Sequence, residues 1–171
     1  MNNPTTPKSA PAFPDFNPYP FDLSPWGFKP GSDRDKWGVV YSADRKALRK
    51  GRKAKGDYEI VPTVTDIADE AFMGSDIETL VIPSGVRIIP QAMCKKCKKL
   101  HHVEIPHGVT EISGGAFLGC TSLAQIDIPA SVKIIAIGAF SSCSNLKSVV
   151  VPDGCEIAVG AFPRRCTVIT K

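Results

Sequence analysis

A 23-residue self-similarity constrains this chain more than any other feature. One block reads VRIIPQAMCKKCKKLHHVEIPHG, the next VTEISGGAFLGCTSLAQIDIPAS, and the third VKIIAIGAFSSCSNLKSVVVPDG. They begin at Val86, Val109 and Val132, a period of 23 residues. Residues 64–85 (VTDIADEAFMGSDIETLVIPSG) repeat the unit with one residue missing, and CEIAVGAFPRRCTVITK is a shortened copy. A fixed period in this range marks an array of stacked units. A unit so short cannot offset the entropy of its own ordering by burying its own side chains. Stacking adds burial and ladder hydrogen bonds between units, so several copies must fold together.

The shared pattern is V-x-x-I-x-x-x-A-F-x-x-C-x-x-L-x-x-I-x-I-P-x-G. L-x-x-I-x-I ends in period-two alternation, which predicts a short strand. Proline closes it, because it cannot donate to a ladder, and P-x-G supplies a turn. Ser131 stands at the glycine place in one copy, so a left-handed backbone is not required there. A-F-x-x-C is too short for a free helix and predicts a single helical or 3-10 turn. Parallel strands about 4.8 Å apart follow from stacking such units.

I-x-x-x-A-F-x-x-C-x-x-L-x-x-I-x-I-P resembles the BspA-like, or Treponema pallidum type, leucine-rich repeats over about residues 58–171. The resemblance implies a right-handed leucine-rich-repeat solenoid of about five coils of 23 residues. Short parallel strands would lie on one face and short helical or 3-10 turns elsewhere. It also implies a non-enzymatic protein-binding or adhesion surface, in a family whose members are often surface-exposed. Three segments result: a leader at 1–36, an N-terminal cap at 37–63, and repeats at 64–171 ending in a degenerate copy.

CKKCKKLHH, residues 94–102, has the look of half a zinc site or a redox pair. Registering the copies answers otherwise. Cys97 shares a column with Cys120 and Cys143, while Cys94 takes the place of Phe117 and Phe140. Both places call for buried apolar groups, and free cysteine behaves as a small hydrophobe. Zinc would need two more ligands, and strand alternation would send His101 and His102 to opposite faces. A redox pair needs exposure and a depressed pKa. The cysteine column is close enough for a disulfide by Cα distance, but an odd column cannot pair fully and its side chains run parallel. Lys95, Lys96, Lys98 and Lys99 belong on a solvated outer turn.

Within the predicted strands, the second and fourth residues after the leucine position face outward. One column is Thr79, His102, Gln125 and Ser148; a second is Val81, Glu104, Asp127 and Val150. Thr79, His102, Glu104, Gln125, Asp127 and Ser148 are therefore the candidate partner-binding residues. His102, Glu104 and Asp127 could alternatively bind a metal or perform acid–base work. No nucleophile or phosphate loop accompanies them, and no cofactor motif occurs.

The net charge of +4 is local. Residues 37–58 hold Arg45, Lys46, Arg49, Lys50, Arg52, Lys53 and Lys55 against Asp44 and Asp57, while the rest is near neutral. RKALRKGRKAK reads as a solvated cap loop, with contact to a polyanion or nucleic acid as the sharper alternative. No recognisable nucleic-acid module accompanies it. GVVYSAD and DYEIVP on either side read as strands.

The leader holds eight of the fifteen prolines and the aromatics Phe13, Phe16, Tyr19, Phe21, Trp26 and Phe28. Proline favours irregular or polyproline structure, yet plain linkers are poor in aromatics. The leader is expected to dock on the solenoid; a peptide for another partner and an inert extension are the alternatives. MNNPTTPKSAPAFPDF has no apolar core of a signal peptide, and no run suits a membrane span. These residues favour a cytoplasmic location and reduced thiols, whereas the resemblance implies a surface.

Overall fold

The computed structural model describes residues 22–171. The repeat governs them. Its twelve strands are β1 (Val40–Tyr41), β2 (Ala47–Lys50), β3 (Lys55–Glu59), β4 (Asp66–Ile67), β5 (Asp76–Val81) and β6 (Ile88–Ile89), then β7 (His102–Glu104), β8 (Glu111–Ile112), β9 (Ile134–Ile135), β10 (Ser148–Val151), β11 (Glu156–Ile157) and β12 (Thr167–Thr170). A coil runs through a two-residue strand at V-x-x-I, a string of turns at A-F-x-x-C, and, in every coil but that of residues 109–131, a longer strand at or near L-x-x-I-x-I. The two-residue strands build one ladder, in which β6, β8, β9 and β11 pair in parallel. β2 pairs with β4 in the same sense, and β1 adds antiparallel to β2. The longer strands form the other ladder: β3, β5 and β7 pair in parallel, as do β10 and β12.

Counting the longer strands with residues 123–128 gives six rungs, against about five coils read from the sequence. The extra rung is β3, from the DYEIVP segment expected as a strand of the cap, and the basic stretch before it, expected as a loop, supplies β2. Ala47 and Leu48 are buried and anchor β2, and Tyr58 and Ile60 do the same for β3. Lys46, Arg49, Lys50, Arg52, Lys53 and Lys55 stay exposed around these buried residues, so the stretch folds as a coil with those charges outward.

The A-F-x-x-C segment is not helical. Alternate amides close i→i−3 turns, as in Lys95 to Ala92 and Cys97 to Cys94. The amides between them donate to the next coil: Phe72 to Met93, Cys94 to Ala116, Phe117 to Ala139, and Phe140 to Ala161. A helix would consume every amide internally. Turns leave every second one to hold the stack.

Side chains pile into continuous inward columns. Phe117 and Phe140 stack with ring centroids 5.2 Å apart, and Phe140 and Phe162 at 5.1 Å. Cys94 interrupts that column, and buried Met93 lies beside it. The valine, isoleucine and leucine columns are sealed likewise, with Val109, Ile112 and Leu123 inaccessible to solvent. Residues 123–128 keep the inward–outward alternation but form no strand, so the longer ladder opens between β7 and β10. Asp127 there lies one coil from Glu104, and like charges on neighbouring rungs disfavour pairing.

The leader's expected docking holds for residues 22–36, while the part before residue 22 lies outside the described residues. Ser24–Trp26 is a 3-10 turn. Trp26 is buried and its indole Nε1 donates to the Glu59 carbonyl at 2.7 Å. Leu23, Phe28 and Trp37 pack against the core. Buried Asp35 accepts hydrogen bonds from the amides of Trp37 and Val39, both at 2.9 Å, and from the Tyr58 hydroxyl at 2.6 Å. Every carboxylate buried this deeply needs such partners, and these staple the leader to the first rung.

Candidate functional site

The longer strands place their alternate side chains outward as the sequence predicts. Thr79 lies opposite His102, and Val81 opposite Glu104. Gln125, Asp127, Ser148 and Val150 are exposed farther along. The columns extend into the cap at one end and the degenerate last copy at the other: Asp57 and Glu59 of β3 lie opposite Thr79 and Val81, and Thr167 and Ile169 opposite Ser148 and Val150. Asp57 and Glu59 escaped the sequence reading because the cap was not recognised as a rung. The Thr79 hydroxyl donates to Asp57 at 2.8 Å, and His102 Nε2 lies 3.5 Å from Glu104 Oε1. His101 precedes β7 and is exposed, as is His102. Among the described residues no three His, Cys, Asp or Glu side chains converge as a metal site.

These two columns contain Asp57, Glu59, Glu104 and Asp127 but neither lysine nor arginine. One end of the face deepens into a groove of about 350 Å³. The docked segment supplies one wall through Pro25, Trp26, Lys36 and Trp37; strands β3 and β5 supply the other through Asp57, Glu59, Thr79 and Val81. Trp37 packs edge-on against Tyr58 at 5.4 Å, and the Lys36 ammonium sits 4.2 Å above the Trp37 ring. Both tryptophans of the chain line this groove. Their aromatic character was legible in the sequence, but their position on this strand face was not.

The basic residues occupy a different edge. Lys46, Arg49, Lys50, Arg52, Lys53 and Lys55 are exposed on β2, β3 and the turn joining them. Arg52 pairs with Glu70 at 2.8 Å. Arg45 does not belong with them. It is buried, its guanidinium carbon lies 4.1 Å from the Phe28 ring centroid, and it donates to the carbonyls of Ser42 and Ser32. Its role is to pin the docked segment.

All six cysteines are free. Cys94, Cys97, Cys120 and Cys143 are buried, so the pair at 94 and 97 lacks the exposure redox work needs. The column has a polar logic that packing alone does not convey. The thiols of Cys97, Cys120 and Cys143 donate to the carbonyls of Phe72, Cys94 and Phe117, at 3.0, 3.1 and 3.1 Å. Each thiol thus ties its coil to the preceding one. Burial raises the pKa of Cys94 and Cys120 well above the ordinary value and pushes Cys143 up to about 12. Hydrogen bonding from Cys94 and Ser75 pulls Cys97 down to about 7 against its burial.

The BspA type leucine rich repeat region matches residues 65–171 in six copies, and the chain belongs to that family. A solved leucine-rich repeat protein of T. pallidum is similar at 33% identity with a TM-score of 0.67, covering 75% of this chain and 64% of the other. The pneumococcal vaccine antigen PcpA shares the fold at 19% identity and TM-score 0.67, covering 80% and 36%. A leucine-rich repeat protein from Bacteroides ovatus does so at 24% identity and TM-score 0.60, covering 80% and 38%. The chain thus spans under two thirds of the length of each. Comparison with curated proteins finds no match. Among the described residues no helix is long and apolar enough to cross a membrane. Leucine-rich repeats are a fold commonly used for protein interaction.

Proposed function

We propose that this protein is a non-enzymatic binding module whose outward strand face contacts another protein. The observation that carries the reading is the face itself. Six rungs present aligned polar side chains over an extended surface, and among the described residues no other element covers its middle. A repeat array suits such use, because each coil adds contact area at fixed spacing. Thr79, His102, Glu104, Gln125, Asp127 and Ser148 are the contact residues proposed. The test is affinity capture with immobilised protein, comparing the native chain with the double variant Gln125→Lys, Asp127→Lys. Loss of the captured partner supports the reading; undiminished capture refutes it for this face.

A second reading rests on the exposed cations of the first rung. Lys46, Arg49, Lys50, Arg52, Lys53 and Lys55 are exposed within ten residues of one another, and of their side chains Arg52 pairs with Glu70. That stretch would contact a polyanion through its charge. Salt-sensitive retention on heparin, lost when Arg49, Lys50, Arg52 and Lys53 become alanine, is the expected result. Indifference to those changes refutes it.

A further inference from the structure

We infer that the groove beside Trp37 receives an arginine side chain from an extended basic segment of a partner protein, which then crosses the acidic strand face. This rests on the strand-face reading above and names the chemistry of its partner.

The groove is preformed. The Trp26–Glu59 hydrogen bond and the Trp37–Tyr58 ring contact hold the docked wall against the strand wall. Its lining is amphipathic: Trp37, Pro25 and Val81 offer apolar surface, and Asp57 and Glu59 offer carboxylates. Neither carboxylate has an ion-pair partner among the described residues, although Asp57 accepts the Thr79 hydroxyl. The chain's own Lys36 already shows that a cation lodges over the Trp37 ring. A guanidinium suits the site better than an ammonium. Its plane stacks on an indole while its fork reaches a carboxylate.

Beyond the groove the attraction continues in one direction. Glu104 lies two rungs from Glu59, and Asp127 three, about 10 and 14 Å at the spacing of stacked strands. An extended chain advances about 3.3 Å per residue and returns to the same side every second residue. Arginines at alternate positions recur about every 6.6 Å, so a seven-residue segment carrying four of them has the groove, Glu104 and Asp127 within reach of its long side chains. The absence of lysine and arginine from the two outward columns leaves nothing there to repel such a segment.

Both tryptophans line the groove, so their fluorescence reports it directly. The probe is acetyl-Arg-Ser-Arg-Ser-Arg-Ser-Arg-amide, titrated into the full chain at low and high salt. The same peptide with glutamate for arginine is the control. Saturable, salt-weakened binding of the arginine peptide alone is expected. Asp57→Asn with Glu59→Gln should weaken it about tenfold, since two exposed charges are lost while the Thr79 hydrogen bond survives. Lys36→Ala should strengthen it about threefold by removing the internal competitor. Glu156→Gln, on the other ladder, should leave it unchanged.

Equal binding of the glutamate peptide overturns the inference. So does indifference to the Asp57 and Glu59 changes, or a weakening with Lys36→Ala. Concentration-dependent self-association lost in the Asp57, Glu59 variant would assign the groove to a second copy instead, and overturn it as well. No peptide binding, with partner capture still lost in the Gln125, Asp127 variant, sinks this inference and leaves the strand-face reading standing. Peptide binding with undiminished capture sinks that reading alone.

Discussion

Exchanging Ser142 for glycine should stabilise the protein, and placing serine at Gly119 should weaken it by a similar amount. The two residues occupy the same column, two places after the phenylalanine of successive coils. The backbone turns left-handed there in each, with φ of 61° at Ser142 and 76° at Gly119. An L-residue in that region carries a penalty of about 1–2 kcal/mol. Glycine forgoes it but gains about 0.4–1 kcal/mol of freedom in the unfolded chain. The difference leaves Ser142→Gly more stable by about 0.5–1 kcal/mol. Ser142 is exposed, so little burial is lost. In the reverse exchange a Cβ at Gly119 would find its nearest neighbour, Lys96 Cγ, at 3.7 Å, an ordinary contact. Steric clash therefore contributes nothing, and the backbone term stands alone. Urea unfolding should show the midpoints moving in opposite directions at constant slope, and Tm should shift by about 2 °C each way. A destabilised Ser142→Gly, or two shifts of the same sign, would refute the argument.

The cysteine column offers a second test. Burial alone ranks Cys120→Ala above Cys120→Ser, because serine brings a hydroxyl into the core. If the bond to the Cys94 carbonyl matters, serine should instead be the more stable by about 1 kcal/mol in urea unfolding, as Ser75 in the same column foreshadows. A third concerns pH. Burial raises the Asp35 pKa, against the opposing Tyr58 hydrogen bond, so the folded chain keeps this proton to higher pH than the unfolded chain. That contribution is fully present below about pH 4 and is lost as pH rises through the raised value, so the stability of the native chain relative to Asp35→Asn should fall over that interval. A difference in unfolding midpoints that rises with pH would reverse the assignment.

The repeat made most of the architecture legible, because its period dictates which side chains meet. Cys120 turning inward and Phe117 lying over Phe140 follow from register alone. What escaped was whatever the period does not encode. A two-residue strand at V-x-x-I has too little alternation to announce itself, and its identity comes from pairing with the next coil. Six of the seven basic residues at 45–55 fall in RKALRKGRK, where Ala47 and Leu48 are buried side by side and give no period-two signal. That is why β2 reads as a loop in the sequence, and why DYEIVP reads as a cap strand rather than a rung that extends the face through Asp57 and Glu59. Arg45 could not be separated from its neighbours without knowing that Phe28 folds back over it. The groove was invisible for the same reason, since one of its walls comes from a segment outside the repeat.

The opening in the longer ladder at residues 123–128 has a dynamic consequence. Backbone amides that donate to a neighbouring rung exchange only when that rung opens, whereas exposed amides without such a bond exchange by small fluctuations. No inter-coil backbone hydrogen bond from residues 124–128 occurs among the described residues, while β5 is paired on both sides. Amide exchange should therefore be fastest along this face at Gln125 and Asp127, although Leu123 and Ile126 are buried. Asp127→Val would remove the like charge beside Glu104 and supply the residue found in the same column at positions 81 and 150. A relief of about 0.2–1 kcal/mol corresponds to roughly 1.4- to fivefold slower exchange at these amides. Unchanged exchange in Asp127→Val would mean that electrostatic repulsion does not hold the ladder open. The cause would then lie in how the turns of the third coil set its strand, and the acidic column would be a passenger on that geometry.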